Sequence, residues 1–361
     1  MTEQGPSIII VGAGIIGAAA AYALQSGGAR VTIVDAGGET ATTASFGWIN
    51  ASFFHDEAHF RLREEGIVAW HRLSDRLKLP LDWQGTLCWE ETGAAFDQQR
   101  DQLRGLGYDV TEIGSDHFAK LEPHVATPPE RALQFHQEGA ADSPMVVQTL
   151  MNAAVVAGAQ RLRGLRVREL VEQGGRITGI RTEAGVTTAD QVLVAAGTGT
   201  AALMAAVGVP LPMLHRPALV MRTRPVPPVL NHVLVSELGE LRQLPDGTLL
   251  MPAAVSHQGD ASDPLAEPLD VTAQRVLERL RALLPGVALD WQELTLAFRP
   301  VPQDGLPVIG SVRDGLHVAC MHSGITLGAL AGEVVAQEML EGVSNRSGAL
   351  LAPYRPGRFD G

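Results

Sequence analysis

Cysteine is nearly absent from this 361-residue chain: only Cys88 and Cys320 occur, far apart and without CxxC spacing. That excludes a disulfide framework and a zinc ribbon, and it suits a reducing, cytoplasmic setting. Lysine is confined to Lys78 and Lys120, so none is available after position 120. Tyrosine occurs only as Tyr22, Tyr108 and Tyr354. No basic run stands out, and a formal charge of -12 argues against a nucleic-acid surface. The most apolar stretch, Ile8 to Leu24, has no Lys or Arg ahead of it and is interrupted by three glycines. It falls short of the roughly 18 to 20 residues of a membrane span, so neither a signal segment nor an anchor is expected.

What is present is a soluble globular composition, 45% hydrophobic, in a chain long enough for two domains. Ser7 to Asp35 organises the rest. Ile8 to Val11 reads as a strand buried on both faces of a parallel sheet, and Gly12-Ala13-Gly14-Ile15-Ile16-Gly17 follows at once. The Ala-rich run to Leu24 suits a closely packed helix, ended by Gly27-Gly28 before a second strand, Val31 to Val34. Gly12 permits the tight turn, Gly14 lets a pyrophosphate approach the backbone, and Gly17 lets helix and strand pack. Asp35 closes the unit, placed to accept hydrogen bonds from a ribose diol. The order of strand, glycine turn, helix, strand and acid points to a dinucleotide site, without choosing between NAD and FAD.

Ala36 to Asn50 is small and hydroxyl-rich, then aromatic. It reads either as a binding loop, whose hydroxyls and amides meet phosphate oxygens while Gly47 passes under a flat ring bordered by Trp48, or as a surface loop with one buried Trp. His55 and His59 stand at i, i+4, but Asp56 occupies the place of a zincin glutamate and no third ligand is apparent. A solvated or capping helix start is the better reading. Helices are expected over Glu64 to Leu79, Ala94 to Leu106, Asp116 to Glu122, Met145 to Ala157 and Thr272 to Leu284. Strands are expected at Arg163 to Glu172 and Arg176 to Glu183 around a Gly174-Gly175 turn. Asp190 to Val194, followed by Ala195-Ala196-Gly197, returns to the nucleotide sheet. Arg216 to Leu250 suits a second, largely antiparallel sheet with a hairpin at Pro245-Asp246-Gly247, and Ser256 to Leu269 a mobile loop. Finally, Val318 to Gly328 repeats the strand, turn, helix pattern, with a helix N-terminus at Gly324 to Leu327 able to aim N–H groups at an electron-rich edge.

The Gly12 to Asp35 unit, the Thr42 to Asn50 loop, Val194 to Gly197, Arg299-Pro300 with Asp304 and Pro307, and His322 to Leu327 follow one order. In that order the chain resembles the FAD-dependent D-amino-acid oxidase, glycine oxidase and sarcosine oxidase family over nearly its whole length. The resemblance implies an α/β fold: a Rossmann-like FAD-binding domain (1–82, 139–214 and 298–361), and a discontinuous α+β substrate domain (83–138 and 215–297) on a mixed, largely antiparallel sheet. It implies that Gly12, Gly14, Ile16 and Gly17 hold the pyrophosphate, and Asp35 and Ala36 the adenosine ribose. Thr42, Thr43, Ser45, Gly47 and Trp48 would run along the pyrophosphate and flavin, Val167 would meet the adenine, and Gly197 would close that side. His322, Ser323, Gly324, Ile325 and Thr326 would lie at the flavin's pyrimidine edge. Arg299 would grip a substrate carboxylate bidentately.

Departures from the family pattern carry weight too. None of the three tyrosines falls on the substrate-domain sheet, so another group must orient the substrate; Arg242, Gln243, Met251 and His215 are the candidates. No lysine stands where relatives use one for oxygen, and no cysteine where one bonds the flavin, so FAD is expected to be non-covalent and an acceptor other than oxygen is favoured. The implied reaction is oxidation of a C–N bond in a small carboxylate-bearing amine, an amino acid or N-alkyl amino acid. Hydride passes to flavin N5 and the imine hydrolyses. The alternatives are a 2-hydroxy-acid or polyol-phosphate dehydrogenase, an NAD-dependent dehydrogenase, and a flavoprotein subunit of a larger complex. A homo-oligomer is compatible with all of them.

Overall fold

The computed structural model describes residues 5–254 and 267–359. Most of the expected loop at Ser256 to Leu269 therefore lies outside the described residues, while Leu269 itself opens a helix, Leu269–Leu283.

The apolar run Ile8 to Val11 becomes the strand Ser7–Val11, near the centre of a six-stranded sheet. Its neighbours are Arg30–Asp35, then Gln160–Arg163 on one side, and Gln191–Val194, Leu316–Cys320 and Val308–Arg313 on the other. All neighbouring pairs are parallel except the last, at the Val308–Arg313 edge. Ile8, Ile9 and Ile10 are fully buried because both faces of the sheet are covered, the Ile8 and Ile10 face by helices and the Ile9 face by Leu170, Ile177 and Ile180 of a small antiparallel sheet. The helix Ile15–Ser26 is almost all alanine on its inner face, so the long helix Gly324–Glu341 comes very close: a Cβ on Gly332 would sit 2.8 Å from that of Ala19.

Arg163 to Glu172 is not one strand, as its sequence suggests. Gln160–Arg163 ends beside Arg30–Asp35, and residues 164–168 cross the sheet edge before Glu169–Gln173 pairs in a separate three-stranded sheet. Gly164, at φ 75°, takes the chain out of the first strand.

The second large sheet has eight strands, in the order Trp291–Phe298, Pro217–Thr223, Leu249–Pro252, Gly239–Gln243, Val233–Ser236, Thr86–Cys88, Arg131–Phe135 and Val110–Gly114. Only Val233–Ser236 against Thr86–Cys88 is parallel. One face carries Met221, Leu241, Leu249 and Met251 into an apolar core with Val276, Leu277 and Leu280 of the Leu269–Leu283 helix. The period of two turns Val220, Glu240, Arg242 and Leu250 to the opposite face.

The histidine pair brackets the start of the helix Glu57–Ser74, which begins about two turns earlier than the expected Glu64 and ends before Leu79. Asp56 is the N-cap, its Oδ1 accepting from the His59 N–H at 2.8 Å. His59 is buried rather than solvated, 3% exposed, with Nδ1 accepting from the His55 N–H at 3.2 Å and the two rings stacked. Among the described residues no three His, Cys, Asp or Glu side chains converge as a metal site. Burial, helped by Arg63 and His55, pushes the His59 pKa down to about 3 from 6.5. Its folded value lies below its unfolded one, so above pH 6.5 it has no effect, and as pH falls from 6.5 toward 3 the unfolded chain takes up the proton first. Stability should fall by up to about 1.4 kcal/mol per pH unit in that window. Urea titrations of wild type and His59→Phe at several pH values check this: the wild-type slope should be steeper by that amount, and parallel slopes would refute it.

Candidate active site

One elongated cleft of about 1060 Å³ runs between the two large sheets. One end is built around the glycine turn. Gly12 has φ 108°, and a Cβ there would lie 2.3 Å from the Ala195 carbonyl oxygen, so no other residue closes this turn. Gly14 is the N-cap of Ile15–Ser26 and offers no side chain to its amides; the Thr42 Oγ1 accepts the Ile15 N–H at 3.2 Å. The positive end of that helix thus faces the cleft. Gly12, Gly14, Ile16, Asp35, Ala36, Thr42, Ser45, Gly47, Trp48, Val167 and Gly197 all line it.

Two of the expected residues do not. A Cβ on Gly17 would meet the Gly12 carbonyl oxygen at 2.0 Å, so Gly17 serves helix packing behind the turn. Thr43 is exposed, its hydroxyl turned back to accept the Thr40 N–H at 2.9 Å. Gly47 does line the cleft, but the space of its missing side chain is taken by the Ala141 carbonyl and the Arg242 guanidinium, not left open for a ring. Asp35 shares its carboxylate between the Gly37 N–H at 2.8 Å and Arg161 at 3.0 Å. Arg161 opens a stretch that also holds Arg163, Arg166 and Arg168, a local basic density that a search for uninterrupted runs passes over. Arg166 and Arg168 flank Val167 at the cleft wall.

At the other end, Met321, His322, Ser323, Gly324, Ile325 and Thr326 form the wall, with Ser323 as N-cap of Gly324–Glu341. A second helix N-terminus therefore faces the same cleft. Cys320 lies in this wall, but burial pushes its thiol up to about 12, which leaves it a poor nucleophile. Arg299 follows the strand Trp291–Phe298; its backbone N–H donates to the Arg216 carbonyl, and its Nη1 lies 3.3 Å from His322 Nε2.

The mixed sheet forms the roof through Ala218, Val220, Pro252 and Ala297. None of the four proposed replacements for the family tyrosine reaches the cleft. Gln243 is spent on backbone groups, accepting from Val229 and Leu230 and donating to Val226, Pro227 and Gly247. Met251 lies in the apolar core on the other face, and His215 is exposed against Phe298. Arg242 is buried beneath the loop instead, donating to the Ala141 carbonyl at 2.9 Å with Phe46 at 5.6 Å. Burial lowers its pKa to about 10, so it stays charged at neutral pH. The polar side chain that the roof turns into the cleft is Glu240, 7% exposed. Its sequence signal was the alternation Glu240, Leu241, Arg242, with only Leu241 suited to the apolar core.

Two other buried charges escaped the sequence. Glu138 accepts from the Ala51 and Ser52 N–H groups at 3.2 and 3.1 Å, from Trp48 Nε1 at 3.1 Å and from the Tyr108 hydroxyl at 2.9 Å. It fastens the Trp48 to Ser52 segment from behind. Burial raises its pKa and those hydrogen bonds oppose the rise. Arg63, 4% exposed, sits among Phe60, Ile67 and Trp70 on the buried stripe of its helix and lines the cleft. A charge at a stripe position was the available clue.

A cleft with a carboxylate at one end, a glycine-turn helix N-terminus along it and a second helix N-terminus at the far end fits a bound dinucleotide whose ring lies under the roof. Such a cleft between two sheets is that of a dinucleotide-dependent oxidoreductase. Residues 7–338 match the FAD dependent oxidoreductase (DAO) family, and the chain belongs to it. It is 27% identical to the uncharacterized oxidoreductase YurR of Bacillus subtilis, with 97% of this chain and 98% of that one covered. Against the glycine oxidase of Geobacillus kaustophilus it is 26% identical, with 91% of each covered. Among solved structures it is similar in fold to the L-proline dehydrogenase of P. horikoshii, at TM-score 0.86 and 19% identity, covering 99% of this chain and 98% of that one.

Proposed function

We propose that this FAD-dependent oxidoreductase oxidises a C–N bond of a small amino acid or N-alkyl amino acid whose carboxylate is held by Arg299. The observation that carries the reading is Arg299 itself: a guanidinium at the junction of roof and wall, beside His322, in a chain of net charge -12. An anionic substrate entering such a protein needs a local positive anchor, and a planar fork fixes its orientation. Residues 1–82, 139–214 and 298–361 then carry the cofactor, with 83–138 and 215–297 supplying the roof. Bound FAD would accept the hydride from the substrate α-carbon. The chain's own residues do the rest. The two helix N-termini favour the pyrophosphate and the charge gained at the pyrimidine edge, and the Ala218, Val220, Pro252 and Ala297 surface excludes water. Steady-state assays with an artificial acceptor test the substrate class: D-, L- or N-methyl amino acids should turn over and 2-hydroxy acids should not.

FAD should be released by acid. Of the two cysteines, Cys88 is buried outside the cleft and the Cys320 thiol is held protonated. After acid precipitation the yellow colour is expected in the supernatant; colour retained in the pellet would show a covalent bond.

A further inference from the structure

We propose that Arg63 is a fixed positive charge in the cleft wall that stabilises negative charge gained by the flavin on reduction. This rests on the reading above, that the N-terminus of Gly324–Glu341 meets the flavin's pyrimidine edge. Three observations carry it. First, the guanidinium is almost wholly buried and lines the cleft, although its helix position belongs to an apolar stripe. Second, its hydrogen bonds go to neutral acceptors: Nε to the Asn50 carbonyl at 3.0 Å, Nη2 to Asn50 Oδ1, and Nη1 to Ser323 Oγ at 2.6 Å. A guanidinium has five N–H groups, and these bonds use three. Third, Ser323 is the N-cap of an 18-residue helix, so the positive end of that helix lies against the buried cation.

Two like-signed features side by side in a low-dielectric wall are unfavourable unless an anion answers them. Burial lowers the Arg63 pKa only to about 10, so the charge persists at neutral pH. The counter-charge acting on it is Glu138, which reaches it across space while bonding the Trp48 to Ser52 segment. A neutral side chain could join Asn50 to Ser323 as a clamp; an arginine adds charge, and that charge faces the cleft. The expected consequence is a flavin poised to accept electrons from the amine.

Purified holoenzyme of wild type, Arg63→Met, Arg63→Gln and Arg63→Lys tests this by two readouts that need no turnover. These are the dissociation constant for sulfite, an anion whose binding places negative charge on the ring, and the two-electron midpoint potential against a reference dye. Whichever neutral variant retains FAD should bind sulfite at least about tenfold more weakly. Its midpoint should fall by about 30 mV per tenfold change in the redox equilibrium. Arg63→Lys should recover most of both. Unchanged values in Met or Gln, or equal shifts in Lys and the neutral variants, would show a structural clamp and overturn the proposal. Loss of FAD from both neutral variants but not from Lys would support it, and loss from all three would overturn it. Wild-type protein that takes up no FAD would sink the cofactor reading as well, which separates the two failures.

Discussion

Arg299→Ala is expected to slow reduction of bound FAD by an amino acid about 100-fold while leaving FAD in place. The guanidinium lies at the end of the Trp291–Phe298 strand, its main chain pinned to Arg216 and its Nη1 beside His322. Two charge-assisted hydrogen bonds to a carboxylate contribute roughly 1.5 to 3 kcal/mol each. Misplacing the reacting carbon by about 1 Å can cost about 100-fold without any loss of affinity. Arg299→Lys keeps the charge and loses the fork, so it should be impaired nearly as much. Stopped-flow anaerobic reduction measures this directly, with an amine lacking the carboxylate as control; the control rate should hardly change. Unaltered amino-acid oxidation in Arg299→Ala would place the carboxylate elsewhere.

Glu138→Ala should fail more broadly. The substitution strips the acceptor from two buried backbone N–H groups and the Tyr108 hydroxyl, while the Trp48 indole keeps the Thr86 Oγ1 at 3.0 Å. Leaving a buried donor unpaired costs about 1 to 3 kcal/mol, and three such losses are a large share of the roughly 5 to 15 kcal/mol that holds a domain folded. It also removes the charge that answers Arg63. Little folded holoprotein is therefore expected. Glu138→Gln retains the shape but turns an NH₂ toward donors, so it should fold with a lower urea midpoint and weaker FAD retention. A Glu138→Gln protein with wild-type midpoint and flavin content would contradict the network described.

The contrast between these residues explains what could be read from the chain alone. The glycine turn, the return strand Gln191–Val194 and the late helix N-terminus were legible because each is a local pattern in which a residue type meets a backbone demand within a few positions. Glu138 was not legible, since its partners at Trp48, Ala51 and Ser52 lie more than 80 positions away in sequence. Glu240 and Arg242 differ by two positions and share a strand face, yet one lines the cleft and the other packs below the loop. That distinction depends on how the roof lies over the loop, which no periodicity encodes. The break at residues 164–168 was hidden for a related reason: alternation continues through Leu165 and Val167 while the chain leaves one sheet for another.

The central claim is that the cleft holds FAD and takes electrons from a C–N bond. The most direct measurement is a single anaerobic turnover of the yellow protein with each amino acid, N-methyl amino acid and 2-hydroxy acid in turn, reading flavin bleaching and released ammonia or primary amine in the same sample. The account predicts bleaching by one or more amino acids, with one amine equivalent released per flavin reduced. Bleaching by 2-hydroxy acids or polyol phosphates alone, with no amine released, would contradict it.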